Sequence, residues 1–181
     1  MRSKHASYAS TSARINQTSA RDRRGTRSSK APAVANKTEY GDPSVCESCA
    51  SVYTRRTWRR DRPITHALLE RAAWTRCPAC MQKEAGIAYG RVVAKGDLDA
   101  RRLAAMERRI QNVAARAEFT QPERTIVSME RTGGGLDVLT TSQKLAHRIV
   151  NELKKAFGGR ARYAWSDGDG SLLATWTADR T

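Results

Sequence analysis

The amino-acid sequence predicts an α+β protein in which a small zinc ribbon precedes a β-β-α-β-β unit, a four-stranded antiparallel sheet with one helix across it. Four cysteines occur as two Cys-x-x-Cys pairs, which predicts the ribbon. The last third of the chain has the pattern of hairpin, helix and hairpin, which predicts the sheet. A long amphipathic helix lies between them. The predicted segments are a disordered basic tail (1–41), the ribbon (42–96), a connecting helix (97–121) and the β-β-α-β-β domain (122–181).

The tail is rich in Ser, Thr, Arg, Ala and Asn, and Ile15 is the only Leu, Ile or Val among its first 30 residues. Such a segment buries too little apolar surface to offset the entropy that it would lose on ordering. Its nine lysine and arginine residues are typical of an arm that lies along phosphates, and a merely solubilising tail is the alternative. An organelle presequence is not favoured because the segment has no apolar face.

The two cysteine pairs predict one structural Zn²⁺ ion. Each Cys-x-x-Cys brings two sulfurs to one tight turn, and zinc in closed structural sites takes four thiolates in a tetrahedron. The 27 residues between the pairs leave room for an inserted hairpin or short helix. With no export signal the thiols are expected to be reduced, so the predicted location is the cytoplasm. The predicted ligands are Cys46, Cys49, Cys77 and Cys80.

Two other chemistries use the same residues. An iron–sulfur cluster also takes four cysteines, whereas a redox Cys-x-x-Cys would normally be single and begin a helix after a strand. His66 lies between the pairs, but four thiolates fill the zinc shell, so we expect this imidazole to be solvated or packed.

A cluster of arginines around a tryptophan lies between the cysteine pairs and is the predicted nucleic-acid contact. Guanidinium groups match phosphate oxygens in pairs, and a tryptophan can stack on an unpaired base. The alternatives are a solvated loop for the arginines and packing on the ribbon for the tryptophan. The residues are Arg55, Arg56, Trp58, Arg59, Arg60 and Arg62.

The rest of the chain alternates strands and helices. Arg91-Val92-Val93 is predicted as a strand, and Asp97 as the cap of a helix from Leu98 to Phe119. The sheet's second face is expected either to meet that helix or to lie open. The remaining predicted elements are a hairpin of 125–130 and 136–140, a helix capped by Thr141 or Ser142 that runs to Phe157, and strands at 162–165 and 172–177.

No group of residues in the sequence predicts a catalytic site. Asp167 and Asp169 fit a hairpin turn better than a metal site. Tyr163, Trp165 and Trp176 fit a sheet core better than a stacking platform. Because no nucleophile, base and orienting group occur together, we expect neither an enzyme nor a small-molecule substrate.

Charge narrows the choice of partner. The 33 Lys and Arg against 18 Asp and Glu give a net charge of +15 and a pI near 10.4. Such a surface attracts polyanions, of which nucleic acid is the commonest. A membrane is not an expected partner, because the basic segments lack an apolar helical face and no apolar run approaches the roughly 18 residues of a membrane span.

The sequence resembles a family of small bacterial zinc-ribbon proteins. The resemblance is carried by the two Cys-x-x-Cys turns, called knuckles, of which the second reads Cys77-Pro78-Ala79-Cys80, and by Tyr53 and the Tyr89-Gly90 segment. The resemblance covers roughly residues 45–177. That family is similar to the zinc-binding N-terminal region of the archaeal and eukaryotic export adaptor of the large ribosomal subunit, the nonsense-mediated decay protein three family. The adaptors carry more knuckles than this chain. The resemblance implies a connection with the ribosome or with structured RNA.

These observations favour a cytoplasmic zinc protein that binds RNA and associates with the ribosome. A DNA-binding regulator is the first alternative, although no helix-turn-helix pair is present. An adaptor for other proteins, with incidental charge, is the second.

Overall fold

The computed structural model describes residues 40–179, which form two sheets and four helices. The α+β class is therefore confirmed. Apart from its last two residues, the predicted disordered tail lies outside the described residues.

The first sheet has four very short strands in the order β3-β2-β1-β4. Strand β1 pairs antiparallel with β2 and parallel with β4, so the chain returns to the sheet after α1. Helix α2 comes directly after β4. The bounds are β1 Ser44–Cys46, β2 Val52–Thr54, β3 Thr57–Arg59, α1 His66–Leu69, β4 Ala73–Thr75 and α2 Pro78–Glu84.

The β2–β3 hairpin turns on two arginines with left-handed backbone. Arg55 has φ 50° and Arg56 has φ 63°, between the paired residues Thr54 and Thr57. Positive φ at both central residues is the type I′ turn, which usually takes Asn-Gly or Gly-Gly. The backbone N–H of Arg55 donates to Asp42 Oδ2 at 2.8 Å, which helps to hold this turn.

The second sheet has five strands in the order β6-β7-β5-β9-β8. Two helices connect its strands along the chain. The bounds are β5 Gly90–Lys95, α3 Ala100–Thr120, β6 Ile126–Thr132, β7 Gly135–Thr140, α4 Gln143–Phe157, β8 Arg160–Trp165 and β9 Leu172–Thr177.

The prediction of a four-stranded, wholly antiparallel sheet was wrong. Strand β5, predicted as an isolated strand within the 42–96 segment, lies at the centre of the sheet, antiparallel to β7 and parallel to β9. Val92 and Ala94 are buried there because they face the helices. Val92 lies between Val138 on one side and Ala174 on the other. The predicted order of hairpin, helix and hairpin is confirmed.

Helix α3 packs beside α4, and its buried residues belong to the same core as those of the sheet. It therefore lies on the covered face of the sheet and does not cover the second face, which was one of the two positions expected for it. Its predicted apolar stripe is confirmed, since each member is buried. The helix begins slightly later than expected, because Asp99 and not Asp97 accepts the Arg102 N–H, at 2.6 Å. The stripe consists of Leu103, Met106, Ile110, Val113 and Ala117.

Helix α4 begins where Ser142 caps it by accepting the Leu145 N–H, and it ends at Gly158. Trp176 of β9 is fully buried beneath both helices. Its indole N–H donates to Gly158 O at 2.8 Å, and the Arg102 guanidinium lies 5.9 Å from its ring centroid. Trp176 is therefore a core residue, as predicted.

Among residues 40–179, no helix covers the opposite face of the five-stranded sheet, so of the two outcomes expected for this face the structure shows the open one. Arg91, Lys95 and Leu173 alternate with core residues on their strands and are exposed. Among residues 40–179, no helix is both long and apolar enough to span a membrane.

Gly90 permits the close contact between β5 and the start of α4. A Cβ added there would lie 2.7 Å from Ala146 Cβ and 2.9 Å from Ser142 O, and closer still to the Thr140 hydroxyl. We predict that Gly90→Ala lowers the free energy of unfolding by about 1–3 kcal/mol, the usual range for overpacking. Urea denaturation of the variant and the wild type measures this difference in the free energy of unfolding.

Gly133→Ala is the matched control, because a Cβ at Gly133 meets no heavy atom within 4 Å. Equal stability of the two variants would contradict the close packing of β5 on α4.

Candidate metal centre

The four cysteines are carried by two turns that meet beneath the first sheet. Cys46 ends β1 and Cys49 follows it in the turn. Cys77 precedes α2 as its N-cap residue, Pro78 starts the helix, and Cys80 lies in its first turn. Proline is suited to the first helical position because its missing N–H would have had no partner there.

The sulfur atoms form a compact cluster. All four Sγ atoms lie within 4.8 Å of one another. The Cys46–Cys80 and Cys49–Cys77 separations are 3.8 and 3.7 Å. Four sulfurs placed about 2.3 Å from one tetrahedral ion would be about 3.8 Å apart. The cluster can therefore hold a metal ion.

These separations also exclude a disulfide in this structure, since bonded sulfurs lie about 2.05 Å apart and all four thiols are free. Cys46 and Cys77 are almost completely buried, whereas Cys49 and Cys80 are partly exposed. An ion at the centre would therefore be enclosed on one side and approachable on the other.

Hydrogen-bond donors surround the sulfurs. The Cys77 N–H donates to Cys46 Sγ at 3.3 Å, and the Ser51 hydroxyl lies 3.0 Å from Cys49 Sγ. The Arg60 guanidinium also interacts with Cys49. Four thiolates around a divalent metal ion would carry two net negative charges. The hydrogen-bond donors and the Arg60 guanidinium would therefore stabilise a site that holds such an ion.

The proton affinities of the thiols differ strongly. The hydrogen bond from Cys77 lowers the pKa of Cys49 to about 3, with a further contribution from Ser51. The same contact with the Cys49 thiolate raises the pKa of Cys77. Burial raises the pKa of Cys80 to about 11. A metal ion would displace the protons that Cys77 and Cys80 otherwise keep, because only thiolates are ligands.

Arg60 connects the cysteine cluster to helix α3. Its Nη1 donates to Glu118 Oε2 at 2.6 Å, and Glu118 also accepts a hydrogen bond from the Thr125 hydroxyl. The Arg60 backbone N–H donates to the Phe119 carbonyl at 3.3 Å. One residue thus joins the ribbon, the end of α3 and the start of β6.

The predicted nucleic-acid residues separate into two groups. Arg59 forms an ion pair with Asp61, and Arg60 lies between Cys49 and Glu118. The other three arginines of the loop are exposed, and no carboxylate of residues 40–179 lies within salt-bridge distance of them. They are Arg55, Arg56 and Arg62.

Trp58 packs within the ribbon. Its ring lies 5.1 Å from that of Tyr40 and 5.2 Å from that of Tyr53, and it contacts the buried cysteines. Its indole N–H is buried without a hydrogen-bond acceptor among the described residues. The structure therefore places Trp58 as predicted by the packing alternative, against the ribbon.

His66 is separate from the cluster. Its side chain is 89% exposed and lies 3.2 Å from Glu70 in an i,i+4 pair. The cysteines border a cleft of about 370 Å³ that His66 does not line. Its lining includes Cys49, Cys80, Arg60, Lys83 and Glu118.

Two members of the site were missed from the sequence. Ser51 follows Cys49 by two residues, so the local pattern contained a signal for it. Glu118 lies 58 residues beyond Arg60, and only the folded chain brings the two together.

No protein-family model matches the chain, and a search of curated proteins finds no match either. The resemblance to the bacterial zinc-ribbon family therefore stays a prediction, and the functional assignment rests mainly on the residues themselves.

We predict that Arg60→Ala weakens metal binding by about tenfold or more, the usual effect of removing a group that supports metal ligands. The reason is that the variant loses the cation beside Cys49. Competition titration with a chromogenic zinc chelator measures the change.

Arg62→Ala is the matched control, because this arginine belongs to the same loop but is not among the groups that interact with the sulfurs. An equal loss of affinity in both variants would contradict the role assigned to Arg60.

Proposed function

We propose that this chain is an RNA-binding protein whose ribbon is held by one structural Zn²⁺ ion on Cys46, Cys49, Cys77 and Cys80. The observation that carries the proposal is the tetrahedral spacing of four thiol groups beneath an arginine-bearing hairpin.

Zinc is the ion that this donor set favours. Four thiolates and no histidine or carboxylate are typical of closed structural zinc sites, which leave no open position for catalysis. The ribbon also needs the ion. Among residues 40–84 the buried apolar residues are the cluster of Cys46, Cys77 and Ala79 together with Val45 and Val52, so metal binding adds stability that so small a core lacks.

The hairpin tip supports contact with phosphates. Arg55 and Arg56 project from a turn that L-residues adopt at a cost of about 1–2 kcal/mol each, whereas glycine or asparagine would be less strained. Strain of this kind occurs where a side chain is needed for function. Two exposed guanidinium groups at one rigid tip are suited to adjacent phosphate oxygens.

The resemblance in the sequence supports structured RNA, and with it the ribosome, as the target. Thiol ligands must remain reduced to bind zinc, which supports a location in the cytoplasm. We propose both as parts of the same function.

Gel-shift assays at graded salt test RNA binding. We expect the affinity for structured RNA to exceed that for duplex DNA and to fall steeply with salt, because phosphate contacts release counterions. Tighter binding to duplex DNA than to structured RNA would favour the alternative of a DNA-binding regulator. A stable protein partner recovered without nucleic acid at low salt would favour the adaptor.

For the metal, we predict one zinc ion per chain in the purified protein, and loss of that ion from Cys77→Ser under a chelator concentration that the wild type resists. Replacing a buried thiolate removes one of four ligands and leaves a weaker site. Elemental analysis measures the ratio.

Ser48→Ala is the control, since Ser48 is exposed between the first two cysteines and contributes no sulfur. Iron in place of zinc would contradict the identity of the ion, and a metal ratio near zero would contradict the site.

For the hairpin, we predict that the double variant Arg55→Gln, Arg56→Gln weakens RNA binding and reduces the slope of log K against log salt concentration by roughly 1.5, since about 0.7–0.9 counterion is released per phosphate contact. Lys95→Gln removes an exposed charge from the open sheet face and is the control. If the double variant has the same slope as the wild type, the two hairpin arginines do not contact RNA phosphates.

A further inference from the structure

The edge of the five-stranded sheet carries an aromatic cluster that the zinc ribbon does not explain. Trp165 of β8 is 62% exposed and Tyr163, two residues before it, is 37% exposed. Residues two apart on a strand point to the same face, about 7 Å apart. The sequence predicted both side chains as sheet core. They lie at the edge instead, because β8 is the last strand of the sheet and helix α4 covers it only in part.

A third ring extends this cluster onto α4. The His147 and Tyr163 rings lie 4.8 Å apart at 32°. The Tyr163 hydroxyl donates to Asn151 Oδ1 at 3.0 Å, and the Asn151 amide lies 3.1 Å from His147 Nδ1. These contacts hold two rings in place beside Trp165. We call His147, Tyr163 and Trp165 the aromatic edge.

Exposed cations lie on α4 beside the aromatic edge and continue onto α3. Lys144 and Arg148 lie one turn before and one residue after His147, and both are exposed. Helices α3 and α4 run antiparallel, as the contacts Arg109–Glu152 and Arg102–Phe157 show, so Arg116 extends the same surface. No carboxylate of residues 40–179 lies within salt-bridge distance of six exposed cations on the two helices: Arg101, Arg108, Arg116, Lys144, Arg148 and Lys154.

The acidic groups nearby do not cancel this charge. Glu107 and Glu152 are already paired with Arg131, Arg109 and Lys155. Asp167 and Asp169 lie in the turn after Trp165, where Asp169 accepts the Ser171 N–H at 2.9 Å, and these two charges are outnumbered by the six cations. The surface therefore fits a polyanion.

We propose that the aromatic edge binds unpaired bases of RNA, with the bordering lysine and arginines on the phosphates of the same strand. Exposed rings give sequence-tolerant stacking, and cations beside them give contact with the backbone, which together are the requirements for single-stranded recognition. This inference rests on the proposed function and adds a second contact surface, distinct from the hairpin.

The test compares Trp165→Ala with the wild-type chain in fluorescence anisotropy, with a 12-nucleotide U-rich RNA strand and with a fully paired RNA hairpin as probes. We expect the variant to bind the strand at least fivefold more weakly, the lower end of the effect of losing one base–aromatic stack, and to bind the paired probe within twofold of wild type. Trp165→Phe keeps a ring and should recover most of the affinity.

Trp74→Ala is the matched control, since Trp74 is 57% exposed on β4 of the other sheet. Circular dichroism confirms that each variant is folded. Wild-type affinity for the strand in Trp165→Ala, with RNA binding by the wild type intact, would overturn this inference alone. No RNA binding by the wild type would overturn the proposed function with it. A DNA strand with the sequence of the RNA strand is a third probe. Equal affinity of the wild type for the DNA and RNA strands would overturn the assignment to RNA.

Discussion

The packing of four sulfur atoms is the interaction on which the first part of the structure depends. Cys46 and Cys77, together with Ala79, form the buried cluster, and Cys49, Cys80 and Trp58 complete it. Val45 and Val52 are the only other buried apolar side chains of residues 40–84. The short strands of this sheet have three residues each and would not be stable alone. The position of the hairpin and of Arg60 against α3 therefore follows from the sulfur cluster.

The cysteine cluster and most helices and strands were predictable because their signals are local. Cysteine spacing shows which sulfurs share a turn, and the apolar stripe of α3 is visible in its own sequence. The central position of β5 was not predictable in this way. Its partners Val138 and Ala174 lie about 46 and 82 residues further along the chain, and a strand of four to six residues contains no information about which neighbours it will pair with.

Side-chain roles proved harder to predict than elements. Trp58, Trp165 and Trp176 each lie in or beside a strand, yet one packs on sulfur, one is exposed at a sheet edge and one is fully buried. The difference depends on whether a strand is central or at an edge, which is a property of the whole sheet. Similarly, Arg59 and Arg60 are adjacent, but their acids, Asp61 and Glu118, come from different parts of the chain.

The parallel pairing of β5 with β9 has a consequence for synthesis of the protein. β5 emerges from the translating ribosome about 80 residues before β9, the strand that must cover one of its edges. Until then Val92 and Ala94 have only β7 and the helices as neighbours, and Trp176 is not yet made. The ribbon, whose ligands all precede residue 81, can close first. We expect the cysteine cluster to form, and a metal ion that it holds to bind, before the large sheet is complete, and a chain that stops after α4 to remain exposed to degradation.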